Sequence, residues 1–285
     1  MIVAVGPDRP LQSGPGDPGH QVSRRLLILP ALNAPAVAAG RRVSPLDEGN
    51  LNRLFPGDAT GSPTEMIAHY ACDILLPMAD LVVDLHSGGR SLHYVASALV
   101  RPGRTCEEHE RLLRLLRLFG APISFVSDGT GGGGLTTPAA AAQECGALAL
   151  TTELGGGATL SLDGLSLAET GLKRVLKDQG ILRNAAVEPA SPTRLMTVEG
   201  HSAFVYARDR GVFEPAADVG QEVVSGQLAG RIHFPDLPTR EPETLHFESS
   251  GLVACRRVPS LADRGDCLFK LMTDLDVGAD RALHA

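Results

Sequence analysis

Hydrophobic and polar residues follow one another along the first two thirds of the chain in the order expected for alternating strands and helices. A continuous apolar run at residues 26–32 is typical of a strand that is buried on both faces. Residues 62–65, Ser-Pro-Thr-Glu, predict a capped helix start, after which apolar residues recur at helical spacing up to Met78. Two more buried strands are predicted at residues 81–86 and 147–152. The pattern therefore predicts an α/β fold with a mostly parallel sheet flanked by helices.

The pattern changes near residue 190. From Thr193 onward, short β-branched segments are separated by Gly and Pro about every eight to twelve residues, which predicts a small all-β domain. We therefore divide the chain into an α/β domain at residues 1–190, a barrel-like β sandwich at residues 193–276 and a tail at residues 277–285. Some turns of the β domain resemble those of biotinyl and lipoyl domains. The lysine that would carry such a group is missing, so no covalent cofactor is expected there.

Composition narrows the class of protein. The 285 residues are 43% hydrophobic and 21% charged, with a net charge of −7, which suits a folded protein and disfavours nucleic acid as a partner. No apolar run is long enough to span a membrane, and no secretory signal pattern is recognised at the start, so a cytoplasmic location is expected. The five cysteines are scattered, which argues against a disulfide framework or a thiolate zinc site. The oligomeric state stays open, with a homo-oligomer compatible with the sequence.

The candidate chemistry lies at two predicted strand ends. His86 and Glu153 each follow a buried apolar strand and precede a glycine-rich turn. Ligands of open α/β sheets bind beyond the carboxyl ends of the strands, so we expect both side chains to face one crevice. Taken alone, a histidine at a strand end is more often a structural residue than a ligand.

Asn52 and Arg53 add a candidate anion-binding pair between the first strand and the capped helix. An arginine fork beside an amide can hold a carboxylate at two points, as the binding of an amino acid requires. An isolated Asn-Arg pair would more simply be a surface loop. The glycine run at residues 128–134 predicts a loop that either closes over the site or is an inert connection. His109 is expected on a helix surface, and His93 is left without a role.

The order of these motifs resembles the succinylglutamate desuccinylase/aspartoacylase family of zinc amidohydrolases, which is related to carboxypeptidase A. The motifs lie at residues 33–36, 52–57, 84–87 and 152–155, and the resemblance extends from about residue 26 to residue 276. It implies a zinc-carboxypeptidase-like α/β domain and hydrolysis of the amide bond of an N-acyl amino acid. Members that deacetylate N-acetyl-diaminobutyrate in ectoine degradation are the most similar, so this small molecule is the implied substrate.

The resemblance also implies roles for individual residues. His86 would be a ligand of a zinc cofactor, and Glu153 would be the general base. Arg42 would polarise the scissile carbonyl group. Asn52 and Arg53 would anchor the carboxylate of the substrate.

The first 25 residues depart from the family pattern. Members supply two more zinc ligands from a Gly-x-His-Gly-x-Glu motif, and residues 1–25 contain no such motif. We therefore expect an altered or truncated start, weak zinc binding and little turnover by this chain. A site completed by His20 and Asp17 is disfavoured, because neither has a family-like spacing. The alternative function is that of a catalytically inactive homologue that binds a small acidic ligand through Arg53.

Overall fold

The computed structural model describes residues 2–7, 24–127, 129, 133–276 and 278. His20 and Asp17 lie outside the described residues, as do most of the glycine run and most of the predicted tail. The helices within the described residues are α1 (Ala34–Ala38), α2 (Pro63–Tyr70), α3 (Cys106–Phe119), α4 (Pro138–Glu144) and α5 (Leu162–Asp178). The strands are β1 (Ile2–Pro7), β2 (Arg24–Leu29), β3 (Leu81–Asp84), β4 (Leu92–Tyr94), β5 (Ser97–Val100), β6 (Ile123–Val126), β7 (Leu148–Glu153), β8 (Arg194–Thr197), β9 (Phe204–Tyr206), β10 (Gly211–Pro215), β11 (Glu222–Val223), β12 (Leu228–His233), β13 (Glu243–His246), β14 (Gly251–Arg257), β15 (Leu261–Ala262) and β16 (Cys267–Asp274).

One sheet passes through most of the described molecule, in the order β11-β14-β16-β8-β6-β5-β7-β3-β1-β2. Its centre contains three parallel pairs, β3 with β7, β5 with β6 and β6 with β8. Antiparallel pairs join β5 to β7 and place β1 between β2 and β3. All four residues of β3 are buried, as expected for a strand covered on both faces. The predicted α/β fold with a largely parallel central sheet is confirmed.

Local sequence signals account for the helix boundaries. At the start of α2, the backbone N–H of Ser62 donates to Oε2 of Glu65 at 2.8 Å, which is half of the predicted capping box. The predicted helix continues beyond α2 as a π turn at Ala71–Leu75 and a 3-10 turn at Leu76–Met78. No helix among the described residues has the length and apolar character needed to cross a membrane.

Helix α3 corrects one prediction. His109 is not on a helix surface: it is only 1% exposed, and its Nδ1 accepts a hydrogen bond from the backbone N–H of Gly103 at 3.2 Å. The loop before α3 folds back over the helix and covers this ring. The buried leucines of the helix pack with Val83, Leu150 and Val175 in one core cluster.

The second part of the chain forms an all-β sandwich, in agreement with the predicted fold class. Strands β13, β12, β10 and β15 form a separate four-stranded sheet, which packs against β9, β14 and β16. Phenylalanine rings fill the space between, with the Phe213 and Phe269 centroids 5.7 Å apart and those of Phe247 and Phe269 5.2 Å apart. The two predicted domains nevertheless share one sheet, because β8 pairs with both β6 and β16 and β4 pairs with β14. This continuity places side chains of the β sandwich over the face of the α/β sheet.

Candidate active site

The site is built at the carboxyl ends of β3 and β7. These strands are parallel neighbours, with Asp84 opposite Thr151. Beyond the last ladder pair, the backbone N–H of His86 donates to Oγ1 of Thr152 at 3.1 Å, and the N–H of Leu154 donates to the carbonyl of His86 at 3.0 Å. The two strand ends are therefore held together past the regular ladder. The side chains of His86 and Glu153 line the same cavity of about 360 Å³.

His86 is oriented by the carboxylate of Asp84, the last residue of β3. Its Nε2 lies 2.6 Å from Oδ2 of Asp84 and donates a hydrogen bond to it. The Asp84 side chain is 6% exposed and that of His86 is 30% exposed. The Asp84 charge raises the pKa of His86, against the opposing effect of burial. This pair fixes the imidazole ring at the edge of the cavity.

One oxygen of the Glu153 carboxyl group is buried without a hydrogen-bond partner among the described residues. This atom, Oε2, is inaccessible to solvent. Burial raises the pKa of Glu153 from 4.5 to about 7, and the positive charges of His86, Lys270 and Arg42 only partly oppose this shift. Near neutral pH both protonation states of Glu153 are populated, so the group is able to accept and to return a proton.

A second cavity of about 420 Å³ adjoins the first. Asn52, Asp84 and His86 line both cavities. Arg42 lines the second cavity, and its charge lowers the pKa of Glu153. The structure therefore brings four of the five predicted site residues to these two cavities: Arg42, Asn52, His86 and Glu153.

Arg53, the fifth predicted residue, lies behind Asn52. The two belong to a 3-10 turn at Leu51–Arg53, and Nη1 of Arg53 donates to the carbonyl of Asn52 at 2.6 Å. The Arg53 guanidinium packs against Gly133, where an added Cβ would come within 2.6 Å of Nη1. Arg53 does not line either of the two cavities, whereas Oδ1 of Asn52 is buried without a hydrogen-bond partner among the described residues. Asn52 thus faces the site directly, and Arg53 supports it from behind.

Two cations that line the first cavity were not predicted. Lys270 comes from β16 of the β sandwich, and Arg101 follows β5. The Lys270 Nζ lies 4.9 Å from the ring centroid of Phe125, so the cation faces an aromatic surface. A single lysine within the apolar strand Leu-Phe-Lys-Leu-Met is a signal that could have identified Lys270, because a buried charge in such a strand needs a reason.

The described residues do not provide a zinc site. A catalytic zinc ion takes three protein ligands and keeps one position for water. No group of three or more His, Cys, Asp or Glu side chains within the described ranges is placed to hold a metal ion. The predicted ligand His86 has its Nε2 bonded to Asp84. The metal-binding side chains within the described ranges therefore do not form the zinc site that the order of the motifs implied.

Comparisons by sequence and by structure match this chain to related proteins. The sequence profile of the succinylglutamate desuccinylase/aspartoacylase catalytic domain matches residues 16–178. The chain is 35% identical over 249 residues to the N-alpha-acetyl-L-2,4-diaminobutyric acid deacetylase of Halomonas elongata, a match that covers 87% of this chain and 72% of the relative.

Solved structures agree with this match. The crystal structure of a succinylglutamate desuccinylase/aspartoacylase from Rhodobacter sphaeroides has a TM-score of 0.82 and 33% identity, over 89% of this chain and 76% of the other. The product-bound structure of the ectoine utilization protein EutE (DoeB) from Ruegeria pomeroyi has a TM-score of 0.81 and 36% identity, over 88% of this chain and 75% of the other.

Proposed function

Because the chain belongs to the succinylglutamate desuccinylase/aspartoacylase family, we propose that it is a deacylase that hydrolyses the linear amide bond of an N-acyl amino acid. The observation that carries this proposal is Oε2 of Glu153, which is buried without a hydrogen-bond partner among the described residues, in a side chain that lines a cavity together with His86 and Asn52. Its pKa of about 7 is suited to general acid–base catalysis near neutral pH.

In the proposed reaction, the ionised Glu153 accepts a proton from an attacking water molecule and then returns it to the leaving amine. The carbonyl carbon becomes tetrahedral, and negative charge develops on its oxygen. The charge of Arg42 lowers the pKa of Glu153, so the guanidinium group acts on this site. Arg42 would stabilise the negatively charged oxygen, a contribution worth about a few kcal/mol in other hydrolases. Asn52, with Arg53 behind it, would hold the carboxylate of the amino acid.

Zinc stays a prediction for this chain. His86 would be one ligand, but the described residues do not complete a set of three. No step of the proposed reaction is therefore assigned to a metal ion. Zinc binding is open to direct test by equilibrium dialysis of the full chain, with a His86→Ala variant as the comparison.

N-acetyl-diaminobutyrate is the first substrate to assay, because a relative with 35% identity is a deacetylase named for that compound. Cytoplasmic location and homo-oligomer formation likewise stay predictions from the sequence. The incomplete set of metal donors favours a second candidate function, in which the chain binds a small acidic ligand without turnover.

The test compares wild type with Glu153→Gln and with Glu199→Gln, in which the substituted carboxylate is exposed and remote in sequence from the site motifs. Acetate released from N-acetyl-diaminobutyrate is measured from pH 5 to pH 9, with and without added zinc. For a deacylase we expect the wild-type rate to rise as the pH increases through 7. The rate is expected to fall by about 10²- to 10⁴-fold in Glu153→Gln and to be unchanged in Glu199→Gln. Saturable binding of N-acetyl amino acids without acetate release from wild type would instead support the binding protein.

A further inference from the structure

Two buried polar atoms without hydrogen-bond partners lie on neighbouring strands at the proposed base. Ser97 is the first residue of β5, and it stands directly opposite Glu153 of β7 in the antiparallel ladder. Ser97 is 1% exposed, and its Oγ has no hydrogen-bond partner among the described residues. Oε2 of Glu153 is buried and unpartnered in the same way. A buried hydroxyl group without a partner is uncommon in folded proteins, so this pair of atoms needs a physical reason.

The side chains of Ser97 and Glu153 share the cavity face of the sheet. Residues directly opposite each other in an antiparallel pair lie on one face, with Cβ atoms about 4.5–5.5 Å apart. Leu99 and Thr151 form the next pair on this face, and both line the cavity of about 360 Å³. Ala98 points the other way, into the core cluster that contains the leucines of α3. Ser97 is therefore the cross-strand neighbour of Glu153 on the side where the chemistry is proposed.

The two unpartnered atoms have complementary hydrogen-bonding capacity. A serine hydroxyl group donates one hydrogen bond, and a carboxyl oxygen accepts one as long as it carries no proton itself. The Ser97 side chain has three staggered positions about its Cα–Cβ bond, so Oγ is able to turn toward the carboxyl group without a change in the backbone. On the other side of β5, Ser97 stands opposite Ile123 of β6, which offers no polar side chain.

The charged groups near Glu153 do not satisfy Oε2. His86, Lys270 and Arg42 lower the pKa of Glu153 and Asp84 raises it, but none of the four donates a hydrogen bond to Oε2. Glu153 lines the cavity and is only partly buried, whereas its Oε2 is inaccessible to solvent. The other oxygen, Oε1, is therefore the one that meets water or a ligand in the cavity.

We propose that Ser97 is a positioning residue for the general base, whose hydroxyl group donates a hydrogen bond to Oε2 of Glu153. This bond holds the carboxyl group with Oε1 toward the cavity. It also keeps Oε2 an acceptor, so the proton taken from the attacking water resides on Oε1, from which it is returned to the leaving amine. The assignment rests on the proposed function for the role of Glu153 as the base.

The first test separates kcat from KM. Hydrolysis of N-acetyl-diaminobutyrate is measured at one fixed pH for wild type and for variants of Ser97. We expect Ser97→Ala to lower kcat by about tenfold to a hundredfold, as for the loss of a hydrogen bond to a charged group, and to change KM by less than about twofold. Ser97→Cys, which has nearly the same shape but a weak donor, is expected to behave like Ser97→Ala. Ser97→Thr keeps the hydroxyl group and is expected to restore most of the wild-type kcat.

Ser124→Ala is the matched control. Ser124 is also a buried serine of this sheet, but it stands opposite Ala98 and its Oγ accepts a hydrogen bond from Oγ1 of Thr193 at 2.8 Å. Its side chain therefore lies on the face that points away from the cavity. The substitution removes a buried serine hydroxyl group at a distance from Glu153, so kcat and KM of the folded variant are expected to equal those of wild type.

A second comparison repeats Ser97→Ala in the Glu153→Gln background. If Ser97 acts through the Glu153 carboxylate, the residual kcat of Glu153→Gln is expected to change by less than about twofold. A role of Ser97 in packing alone predicts the same proportional loss of kcat in both backgrounds, and that result would overturn the proposal.

A measurement that needs no turnover distinguishes this proposal from the proposed function. In protein labelled with ¹³C at the glutamate carboxyl carbon, the NMR signal of Glu153 is identified by its loss in Glu153→Gln. We expect this signal to shift in Ser97→Ala but not in Ser124→Ala. If the signal shifts and wild type hydrolyses no substrate, the contact of Ser97 with Glu153 stands and the proposed hydrolysis fails. An unmoved signal in folded Ser97→Ala and Ser97→Cys would show that Ser97 does not position Glu153.

Discussion

Replacing Glu153 with glutamine is expected to stabilise the folded protein at alkaline pH while removing the proposed general base. Oε2 of the wild-type carboxyl group is buried without a hydrogen-bond partner among the described residues, so ionisation of the group in the folded state is unfavourable. Glutamine has nearly the same shape and carries no charge at any pH in the range of interest. The substitution therefore measures the free-energy cost of keeping an ionisable carboxyl group at this position in the folded protein.

The size of the expected stabilisation follows from the pKa of Glu153, which burial raises from 4.5 to about 7. An unfolded chain loses this proton near pH 4.5, whereas the folded chain retains it up to about pH 7. Between these values the folded state binds more protons than the unfolded state, so stability falls as pH rises. The difference between the two pKa values, about 2.5, corresponds to a cost of about 3 kcal/mol above pH 7.

The assay is urea denaturation of wild type, Glu153→Gln and the exposed control Glu199→Gln at pH 5 and pH 8. We expect Glu153→Gln to exceed wild type in free energy of unfolding by under about 1 kcal/mol at pH 5 and by about 3 kcal/mol at pH 8. Glu199→Gln is expected to show the same small difference at both pH values. A Glu153→Gln effect that does not change with pH would refute the conclusion that this carboxyl group titrates near neutrality.

Two further substitutions test the neighbours of the site. Asp84→Asn removes the charge that raises the pKa of His86, so the imidazole titration followed by NMR is expected to move to lower pH, and an unmoved titration would contradict the pairing. Gly133→Ala, at φ +115°, would place a Cβ within 2.6 Å of Nη1 of Arg53. We expect it to displace Arg53 and weaken binding of N-acetyl amino acids by about tenfold. Gly134→Ala, whose added Cβ would meet no described atom within 4 Å, is expected to have a smaller effect.

The positions of His86 and Glu153 could be predicted from sequence because each lies at or just beyond the carboxyl end of a short apolar strand. Parallel neighbours end at the same edge of a sheet, so two polar residues that follow such strands lie close together. Asn52 could be placed near them only through the order of the motifs, since a loop residue has no periodic signal. The position of Arg53 behind Asn52 depends on the 3-10 turn and on the contact with Gly133.

Lys270 and Arg101 could not be placed from sequence, because their positions depend on long-range strand pairing. Lys270 reaches the site because β16 pairs with β8, which in turn pairs with β6, and because β14, the other neighbour of β16, pairs with β4. The pattern of short strands indicated a β domain, but it did not indicate that this domain shares a sheet with the α/β part. His109 was misplaced for a related reason, since the Gly103 backbone that covers it is not part of the helical pattern.

Burial and nearby charges have opposite effects on the pKa of Glu153, the proposed base. Three positive groups, His86, Lys270 and Arg42, lower the pKa of Glu153, yet the net shift is upward. Burial therefore dominates the net shift, and the three positive charges reduce it. Glu153 thus keeps a pKa near neutrality, while His86, Lys270 and Arg42 reduce the cost of its ionised form, and this balance suits a group that accepts and returns a proton.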